Sequence, residues 1–516
     1  MVVGTLRRAG AITAAGMEER VRRTLIALLA LCGVLCISLT AMTHAQQEGE
    51  PGVLRNPLNP YGGPDPWIQY YEGYYYLATT TGRSELTMSK SETLAGLKTA
   101  VPQRIYFETD PSRCCNMWAP EFHLLDGPNG PRWYYYYSAG TSDTLDNQRT
   151  YVLESEGADP MGPYTYKARV FDAANDVWAI DGSVLKLDGN LYFLFSSWVG
   201  PNQSLFIAPM SDPWTISGPR VLLAAPEYDW EKSGANVTEG PVALYHGADV
   251  FIVYSASYCV TPDYKLGILK YTGGDPLKTE SWVKHPEPVF ERSDANSVFG
   301  PGHNGFFMSP DGTEYWIVYH ANDDVTGACD DRRTTRVQKF TWDDDGLPVF
   351  GTPVATTDVI AAPSGDNGVD PVPDFGDLPV TRFRANGYAE AYLGHSDVVA
   401  QIQISPNPIA NSQFYVVPGL ADPDAISIRS VNLPGFFLRH EGSMIVFAAD
   451  DRSGTFAEDA TWRIVPGLAD PDWISLESYN RPGLVIGQQF GVVALVPVND
   501  TMSDRMKEDA TFLEER

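Results

Sequence analysis

Basic side chains are scarce in this 516-residue sequence, which has 37 Lys and Arg against 65 Asp and Glu and a formal net charge of −28. Nucleic acids and anionic membranes are recognised through basic patches, so this deficit argues against either partner. An acidic surface keeps a protein soluble and is compatible with neutral ligands such as sugars. The charge balance therefore favours an uncharged ligand.

Cysteine is scarce as well, with 6 residues in the chain, and no Cys-x-x-Cys or Cys/His cluster has the spacing of a zinc site. This pattern argues against structural zinc. We expect a disulfide between Cys259 and Cys329, which fits an oxidising compartment. Cys114 and Cys115 are neighbours, and a bond between adjacent cysteines is strained.

The first 45 residues follow the pattern of an export signal. Three arginines between residues 20 and 23 precede an uncharged apolar stretch that starts at Leu25, and the small residue Ala45 is suited to cleavage. We predict a signal peptide over residues 1–45 and a secreted protein, extracellular or periplasmic, with no membrane contact once the peptide is removed. A membrane anchor is the alternative, because the apolar stretch approaches the length that spans a bilayer.

Long stretches with helical periodicity are scarce between residues 56 and 350. Short aromatic strands recur there between turn signals: "WYYYYSAG", "NLYFLFSSW", "VFIVYSAS" and "EYWIVYHA". Together with 46 Gly and 39 Pro, this pattern predicts an all-β fold, and strand groups of this size suit a sandwich, a barrel or a propeller. Periodicity alone does not choose among the three.

A change in composition divides the chain. Residues 357–379 are rich in Pro, Gly and Asp and have little to bury. We predict a linker there, between a first domain at 46–356 and a second at 380–516.

The second region contains an internal repeat. The stretch "YVVPGLADPDAISIRSVNLPGFFLRH" from Tyr415 returns as "RIVPGLADPDWISLESYNRPGLVIGQ" from Arg463, and "EDATW" at Glu458 returns as "EDATF" at Glu508. A more divergent third copy precedes them and includes "YAEAYLGH". Three strand-rich copies, none of which can bury its own face, predict closure with threefold pseudo-symmetry, as in a β-trefoil.

Three carboxylates of the first region occur where strands begin: Asp65 in "GPDPW", Asp181 in "AIDGSVL" and Glu239 in "TEGPVALYHG". Hydrolysis of a glycosidic bond needs one acid that protonates the leaving oxygen and one base that activates water or attacks carbon. A third carboxylate nearby can keep the acid protonated by like-charge repulsion. Each residue taken singly is equally typical of a turn, and the spacing does not show that the three converge.

Residues 56–355 resemble glycoside hydrolase family 43. The resemblance is carried, in the family's order, by "GGPDPWIQYYEGYYYLATTT", "MWAPEFH", "WAIDGSVL", "EGPVALYHG" and "FGPGHNGFF". Within the family the sequence is most similar to the exo-acting α-1,5-L-arabinofuranosidases, through "LFIAPMSDPWTISGPRVL", "YSASYCVTPDYKLGIL" and "DGTEYWIVYHAND". The resemblance implies a five-bladed β-propeller, so that the chain as a whole is expected to be all-β, a propeller followed by a β-trefoil.

The resemblance also implies roles for the carboxylates. Asp65 is expected to be the general base and Glu239 the general acid, while Asp181 raises the pKa of Glu239 and orients it. Family members invert the anomeric centre, and no cofactor is required for the chemistry. His303 in "GPGHN" resembles the family's axial histidine, which helps to hold a metal ion or ordered water, so a structural calcium or sodium ion is expected in the channel. A hydrogen-bonded core histidine is the alternative.

Further residues are candidates for contact with the substrate. Arg336 in "RRTTR" stands where family members place a guanidinium beside the sugar, with a surface salt bridge as the alternative. Trp67 and Trp118 could stack on a sugar face, although aromatic residues in propeller blades usually belong to the core.

The second region resembles the family 42 carbohydrate-binding module, which binds arabinofuranose. In that family each repeat forms a sugar pocket from the histidine of "LRH" and the aspartate of "DAT". The second repeat has both, His440 and Asp459, and we expect its site to bind best. The first has His395 but Asn411 in place of the aspartate, and is expected to bind weakly. The third keeps Asp509, in a "DAT" that could equally be a structural strand corner, but has Gln488 in place of the histidine.

The expected function is that of a secreted inverting exo-α-L-arabinofuranosidase that acts on arabinan or arabino-oligosaccharides. Two alternatives stay open. One is a β-xylosidase or arabinoxylan arabinofuranohydrolase on the same fold, since a fold does not determine specificity. The loops around residues 258–264 and 322–331 would decide between these activities. The other alternative is a non-catalytic sugar-binding protein.

Overall fold

The computed structural model of the chain describes residues 52–59, 63–100, 102–327, 329, 332–370, 379–396, 398–406, 409–433, 435–450, 453–489 and 492–516. The predicted signal peptide, residues 1–45, lies outside these residues. In the described part of the chain, no helix is long and apolar enough to cross a membrane.

A short strand, β1 (Val53–Leu54), precedes five antiparallel sheets, which are the blades of a β-propeller. Blade 1 consists of β2 (Trp67–Tyr71), β3 (Tyr74–Ala78), β4 (Glu85–Ser91) and β5 (Gln103–Phe107). Blade 2 consists of β6 (Cys115–Gly127), β7 (Gly130–Gly140), β8 (Arg149–Ser155) and β9 (Tyr164–Arg169). Blade 3 consists of β10 (Ile180–Leu187), β11 (Asn190–Val199), β12 (Asn202–Asp212), β13 (Thr215–Ile216) and β14 (Val221–Ala224).

The remaining two blades follow the same order. Blade 4 consists of β15 (Thr238–His246), β16 (Asp249–Ala256), β17 (Lys265–Tyr271) and β18 (Trp282–Lys284). Blade 5 consists of β19 (Phe299–Met308), β20 (Tyr315–Asn322), β21 (Thr334–Trp342) and β22 (Pro348–Val349). The first strand of each blade is its inner strand, and the sheets follow chain order outwards. Short 3₁₀ turns occur at Ala95–Thr99, Asp229–Glu231 and Thr279–Ser281.

The first blade begins with the hairpin that its aromatic sequence predicts. Tyr71 pairs with Tyr74 across a two-residue turn, in which Glu72 and Gly73 have φ values of 47° and 87°. Two successive residues with positive φ match the tight turn that agrees with the right-handed twist of strands, and glycine adopts this conformation without steric penalty.

The blades bury both of their faces, which explains the runs of aromatic residues. Along β7, Tyr135 and Tyr137 pack into one core cluster with blade 1, whereas Tyr134 and Tyr136 pack into another with blade 3. Successive side chains of a strand point to opposite faces, so a strand between two neighbouring blades has apolar residues at every position.

Part of the predicted linker is attached to the propeller. Strand β23 (Ile360–Ala361) pairs with β1, the Asp370 carboxylate lies 2.7 Å from Lys98 Nζ, and the Asp366 carboxylate accepts a hydrogen bond from the Leu94 amide at 2.8 Å. The carboxyl end of this segment, residues 371–378, lies outside the described residues. The boundaries at 356 and 380 therefore stay a prediction.

The second region is one sheet of twelve strands in the described chain. They are β24 (Val380–Ala385), β25 (Ala391–Ser396), β26 (Val399–Ile404), β27 (Phe414–Pro418), β28 (Ile426–Ser430), β29 (Phe436–Glu441), β30 (Met444–Ala449), β31 (Trp462–Pro466), β32 (Ile474–Ser478), β33 (Leu484–Gln489), β34 (Val492–Pro497) and β35 (Phe512–Glu515). Helices α1 (Gly454–Asp459) and α2 (Asp504–Glu508) and a 3₁₀ turn at Ile409–Ser412 connect them.

Strand pairing shows the predicted β-trefoil. Strands β24, β27, β28, β31, β32 and β35 pair in a closed ring, and the hairpins β25–β26, β29–β30 and β33–β34 pair with one another at one end. The repeat places a large aromatic residue at equivalent positions, Phe414, Trp462 and Phe512, and all three are buried in one core.

Two disulfides are present among the described residues. Cys259 is joined to Cys329, as the sequence predicts, which connects a loop of blade 4 to a loop of blade 5. Cys114 is joined to its neighbour Cys115 where the chain enters the inner strand of blade 2. The sequence argued only that such a bond would be strained and did not predict it.

Candidate active site

The same backbone feature opens the inner strand of every blade. A residue in the left-handed region lies within the first five residues of that strand or, in blade 1, two residues before it, and in blades 2 to 5 the strand register shifts there, as in a β-bulge. A left-handed conformation is rare for residues other than glycine and is found where a fold holds a functional group in place. The five residues, in blade order, are Asp65 (φ 52°), Ala119 (49°), Asp181 (58°), Gly240 (56°) and His303 (47°).

Asp65 is held by groups from four other segments. Its Oδ2 accepts a hydrogen bond from Thr80 Oγ1 at 2.6 Å, and its Oδ1 lies 3.2 Å from Arg333 Nη1 and 3.4 Å from His303 Nδ1. Its backbone N–H donates to His320 Nδ1 at 3.1 Å. Burial alone would raise the pKa of Asp65, but the positive charges of His303 and Arg333 outweigh it and hold that pKa well below its ordinary value. Asp65 is therefore ionised, as a general base must be.

Asp181 is buried near the start of the inner strand of blade 3, and its side chain reaches blade 4. Its Oδ2 accepts a hydrogen bond from the backbone N–H of Gly240 at 3.0 Å, directly after Glu239 in the chain. Burial, with the negative charges of Glu239 and Asp65 adding to it, raises the pKa of Asp181 to about 7, although His303 opposes the shift. Asp181 thus fixes the backbone that carries Glu239, and the charge of Glu239 favours the protonated form of Asp181.

Glu239 is held at both carboxylate oxygens. Tyr264 OH donates to Oε1 at 2.8 Å, and Gln203 Nε2 donates to Oε2 at 2.7 Å. Burial raises the pKa of Glu239, and Asp65 contributes in the same direction, whereas the hydrogen bond from Tyr264 and the charge of His303 oppose the shift. The environments of Asp65 and Glu239 therefore push their pKa values apart, which is the arrangement that separates a base from an acid.

His303 connects these carboxylates electrostatically. Burial would lower the pKa of the imidazole, but Asp65, Asp181 and Glu239 together raise it. His320 behaves oppositely, because burial lowers its pKa to about 4. A neutral ring is consistent with His320 Nδ1 accepting the hydrogen bond from the Asp65 amide.

His303 is the residue at which the sequence predicts a structural ion. Among the described residues, no group of three or more His, Cys, Asp or Glu side chains is arranged to hold a metal, and His303 directs Nδ1 at Asp65. A ring that keeps its proton has no lone pair to offer a metal at that nitrogen. These side chains do not form a protein ligand set, so the calcium or sodium ion stays a prediction and no step below passes through it.

The guanidinium that contacts Asp65 belongs to Arg333, which the sequence analysis did not single out. Arg336 is fully buried within β21, where its Nε donates to Thr334 Oγ1 and its Nη2 pairs with Asp323. Arg333 stands just before that strand, at the end nearest Asp65. The described contacts of Arg336 are those of an ion pair, and its contact with a sugar stays a prediction.

The two candidate tryptophans occupy different environments. Trp67 is only 5% exposed and belongs to the core of blades 1 and 2, where its Nε1 donates to the Phe122 carbonyl at 3.0 Å. These contacts are those of a core residue, and sugar stacking by Trp67 stays a prediction. Trp118 directly precedes Ala119 and therefore occupies the position in blade 2 that Glu239 occupies in blade 4. It is partly exposed, and its stacking on a sugar stays a prediction.

The trefoil brings the predicted pair of its second repeat together. His440 Nε2 lies 3.3 Å from Asp459 Oδ1 and 2.8 Å from Asn480 Oδ1, while Asp459 also pairs with Arg439. His440 Nδ1 is buried and has no hydrogen-bond partner in the described chain. Such a group is suited to a ligand hydroxyl, because an unsatisfied buried polar atom is costly.

The other two repeats use the same positions differently. In the first, His395 Nε2 contacts Asn432 Oδ1 at 3.0 Å, and Asn432 in turn donates to Asn411. In the third, Gln488 Nε2 donates to Asp509 Oδ1 at 2.5 Å, so the two side chains satisfy each other.

Comparison with known proteins agrees with this geometry. The family model described as "Glycosyl hydrolases family 43" matches residues 54–348. The chain belongs to glycoside hydrolase family 43. A second model, "Alpha-L-arabinofuranosidase B (ABFB) domain", matches residues 381–514. As a member of family 43 the chain is a glycoside hydrolase, with a saccharide polymer or oligomer as its substrate.

Several relatives of this family 43 chain are similar over most of its length. An "Extracellular exo-alpha-(1->5)-L-arabinofuranosidase" of Streptomyces avermitilis is 35% identical over 458 residues, which is 86% of this chain and 89% of that protein. "Alpha-L-arabinofuranosidase 43" of Humicola insolens is 33% identical over 72% of this chain and 76% of its own. The solved structure of an alpha-L-arabinofuranosidase from Lactobacillus brevis is 33% identical, with a TM-score of 0.55, and covers 59% of this chain and 98% of its own.

Proposed function

We propose that this family 43 chain is a secreted, inverting exo-α-L-arabinofuranosidase, which releases terminal arabinofuranose from arabinan or arabino-oligosaccharides. The observation that carries the proposal is the contrast between Asp65 and Glu239, which share one buried site but have pKa values shifted in opposite directions. The names of the two relatives, both arabinofuranosidases and one of them extracellular, support the substrate and the location.

The proposed chemistry is a single displacement. Asp65 accepts a proton from a water molecule as its oxygen attacks the anomeric carbon, and Glu239 gives its proton to the leaving oxygen as the glycosidic bond breaks. Asp65 ends protonated and Glu239 ionised, and exchange with solvent restores both. Both proton transfers are carried by side chains of the chain itself. Asp181 holds the backbone at Gly240 and, through its charge, favours the protonated form of Glu239 before the reaction.

Hydrolysis of linear α-1,5-arabinotriose compared with xylobiose tests the proposal. We expect arabinose to be released from arabinotriose, and proton NMR spectra from the first minutes should show the β-anomer before mutarotation. Xylobiose as the better substrate would contradict the arabinan assignment, and the α-anomer as first product would contradict inversion. Turnover of neither substrate would favour the sugar-binding alternative.

The trefoil is proposed to tether the enzyme to arabinose side chains, chiefly through His440 and Asp459. Tethering raises the local concentration of substrate without any contact between the domains. We expect His440→Gln to weaken retention on arabinose-rich polysaccharide by about tenfold or more, because a sugar hydroxyl loses its partner. Glutamine already occurs opposite the aspartate in the third repeat, so the fold accommodates it. Affinity electrophoresis measures the retention.

Controls separate tethering from catalysis. The rate on arabinotriose should be unchanged in His440→Gln, and His395→Gln should reduce retention much less. Equal losses in the two variants would contradict the ranking of the repeats, and unchanged retention in both would show that the trefoil does not tether through these residues.

A further inference from the structure

Two tryptophans outside the described network form an exposed aromatic surface near the site. Trp198, the penultimate residue of β11, is 43% exposed, and Trp178 lies three residues before Asp181. Their ring centroids are 5.8 Å apart and their planes are tilted by 50°. Trp178 Nε1 donates to the Leu145 carbonyl at 2.9 Å, which fixes that ring. We refer to Trp178 and Trp198 as the indole platform. Exposed apolar patches of this kind commonly mark binding surfaces.

Strand register places the indole platform beside the proposed acid. Trp198 and Gln203 are directly opposite each other in the β11–β12 pair, so their side chains stand on the same face of the sheet. Gln203 Nε2 donates to Glu239 Oε2 at 2.7 Å. The exposed indole is thus the cross-strand neighbour of the side chain that holds Glu239.

The second indole is fixed to the same strand. Ser197 Oγ donates to the Trp178 carbonyl at 2.6 Å, so the loop that leads into Asp181 is bonded to the residue next to Trp198. The platform therefore spans the rim between the inner strand that carries Asp181 and the strand pair that supports Glu239.

The position of the general acid indicates which sugar of the substrate the indole platform contacts. A general acid must stand next to the oxygen of the bond that it protonates, so the departing sugar lies on the side of Glu239. We propose that Trp178 and Trp198 form the subsite for the sugar on the leaving-group side of the scissile bond, with the apolar face of a pentose ring against the indoles. This inference rests on the proposed function and deepens it, because it names the part of the substrate that these residues bind.

Substrates with and without a sugar leaving group separate this role from catalysis. Arabinotriose places a sugar on the leaving-group side, whereas α-L-arabinofuranosyl fluoride places only fluoride there. We expect Trp198→Ala and Trp178→Ala each to lower kcat/KM for arabinotriose by about tenfold, the loss that one aromatic contact represents. The kcat/KM for the fluoride should stay within about twofold of the wild-type value, a much smaller change than the tenfold loss on arabinotriose. Trp198→Phe should recover most of the loss.

A matched control removes an exposed ring elsewhere. Phe107 is 52% exposed on β5, the outermost strand of blade 1, and Phe107→Ala should change neither rate. Thermal unfolding of each variant identifies any loss of fold. Equal changes in kcat/KM on both substrates in the tryptophan variants, or no change on either, would overturn the subsite. If the wild-type enzyme turns over both substrates in that case, the proposed function still stands. Wild-type turnover of neither substrate would overturn both proposals.

Discussion

We expect glutamine in place of Glu239 to lower kcat/KM for arabinotriose by at least about a hundredfold, the lower end of what general acid catalysis contributes. The amide has no proton to give to the leaving oxygen. Its shape is retained, and the Tyr264 hydroxyl can rotate to accept from the new NH₂ while Gln203 continues to donate to the amide oxygen. The loss therefore reports the missing proton and not a collapsed site.

The leaving group distinguishes this explanation from a general loss of activity. A dinitrophenyl arabinofuranoside departs as a stable anion and needs little protonation, so Glu239→Gln should lose much less rate on it than on arabinotriose. In wild type the rate on arabinotriose should fall as pH rises through the raised pKa of Glu239, because the acid loses its proton. The variant acting on the dinitrophenyl substrate should not show this decline in rate. A near wild-type rate on arabinotriose, or equal losses on both substrates, would show that Glu239 is not the acid.

Much of the fold follows from local sequence, but its closure does not. The alternation of aromatic residues and the Glu72-Gly73 turn specify the first hairpin, and the repeat at Tyr415 specifies a threefold unit. Strand patterns state which residues face a core but not which strand is the neighbour. Only the resemblance to a known family selected the propeller from among a sandwich, a barrel and a propeller.

The carboxylates were found from sequence because the family motifs surround them, whereas their supports were not. Arg333 is 268 residues from Asp65, and Gln203 is 36 residues from Glu239, so no local pattern links either pair. Arg336 was predicted because family members place a guanidinium at that position, and Arg333 in the same short motif was not considered. A shift of three positions moves a side chain from the end of β21 to a buried position within it, and only the structure distinguishes these places.

The sequence indicated the importance of the loop that contains Tyr264 but not the contact that this residue makes. Tyr264 belongs to a loop that the sequence marked as a determinant of specificity, yet its role as a donor to Glu239 Oε1 depends on how blade 4 folds back on itself. The indole platform was missed for a related reason, since the significance of Trp198 comes from its register with Gln203.

The two buried aspartates should respond in opposite directions to the same substitution. Asp65 has a lowered pKa, so its charge stabilises the fold above its ordinary pKa, and this contribution is lost as pH falls. Asp65→Asn removes that charge from beside Arg333 and His303. We expect a lower Tm at pH 7, because breaking a buried pair is strongly destabilising, together with a loss of activity of about a hundredfold or more.

Asp181 has a pKa raised from 3.8 to about 7, so the protein gains stability from the neutral form at low pH and loses it as pH rises through about 7. Each pKa unit corresponds to about 1.4 kcal/mol, which makes the penalty at pH 8 a few kcal/mol. Asp181→Asn removes the charge and keeps an oxygen for the Gly240 N–H. We expect its Tm to exceed that of wild type at pH 8 and to match it near pH 4, although activity falls because Glu239 loses its negative neighbour.

Scanning calorimetry of the three proteins at pH 4, 7 and 8 measures these shifts. Asp188 provides the matched control, since it is also left-handed, with φ 51°, and precedes a glycine, but lies in an exposed turn. Asp188→Asn should change neither Tm nor rate, because asparagine accepts this conformation as readily as aspartate. A Tm for Asp181→Asn below that of wild type at pH 8 would mean that its charge is stabilised in the fold. In that case the raised pKa of Asp181 would be wrong.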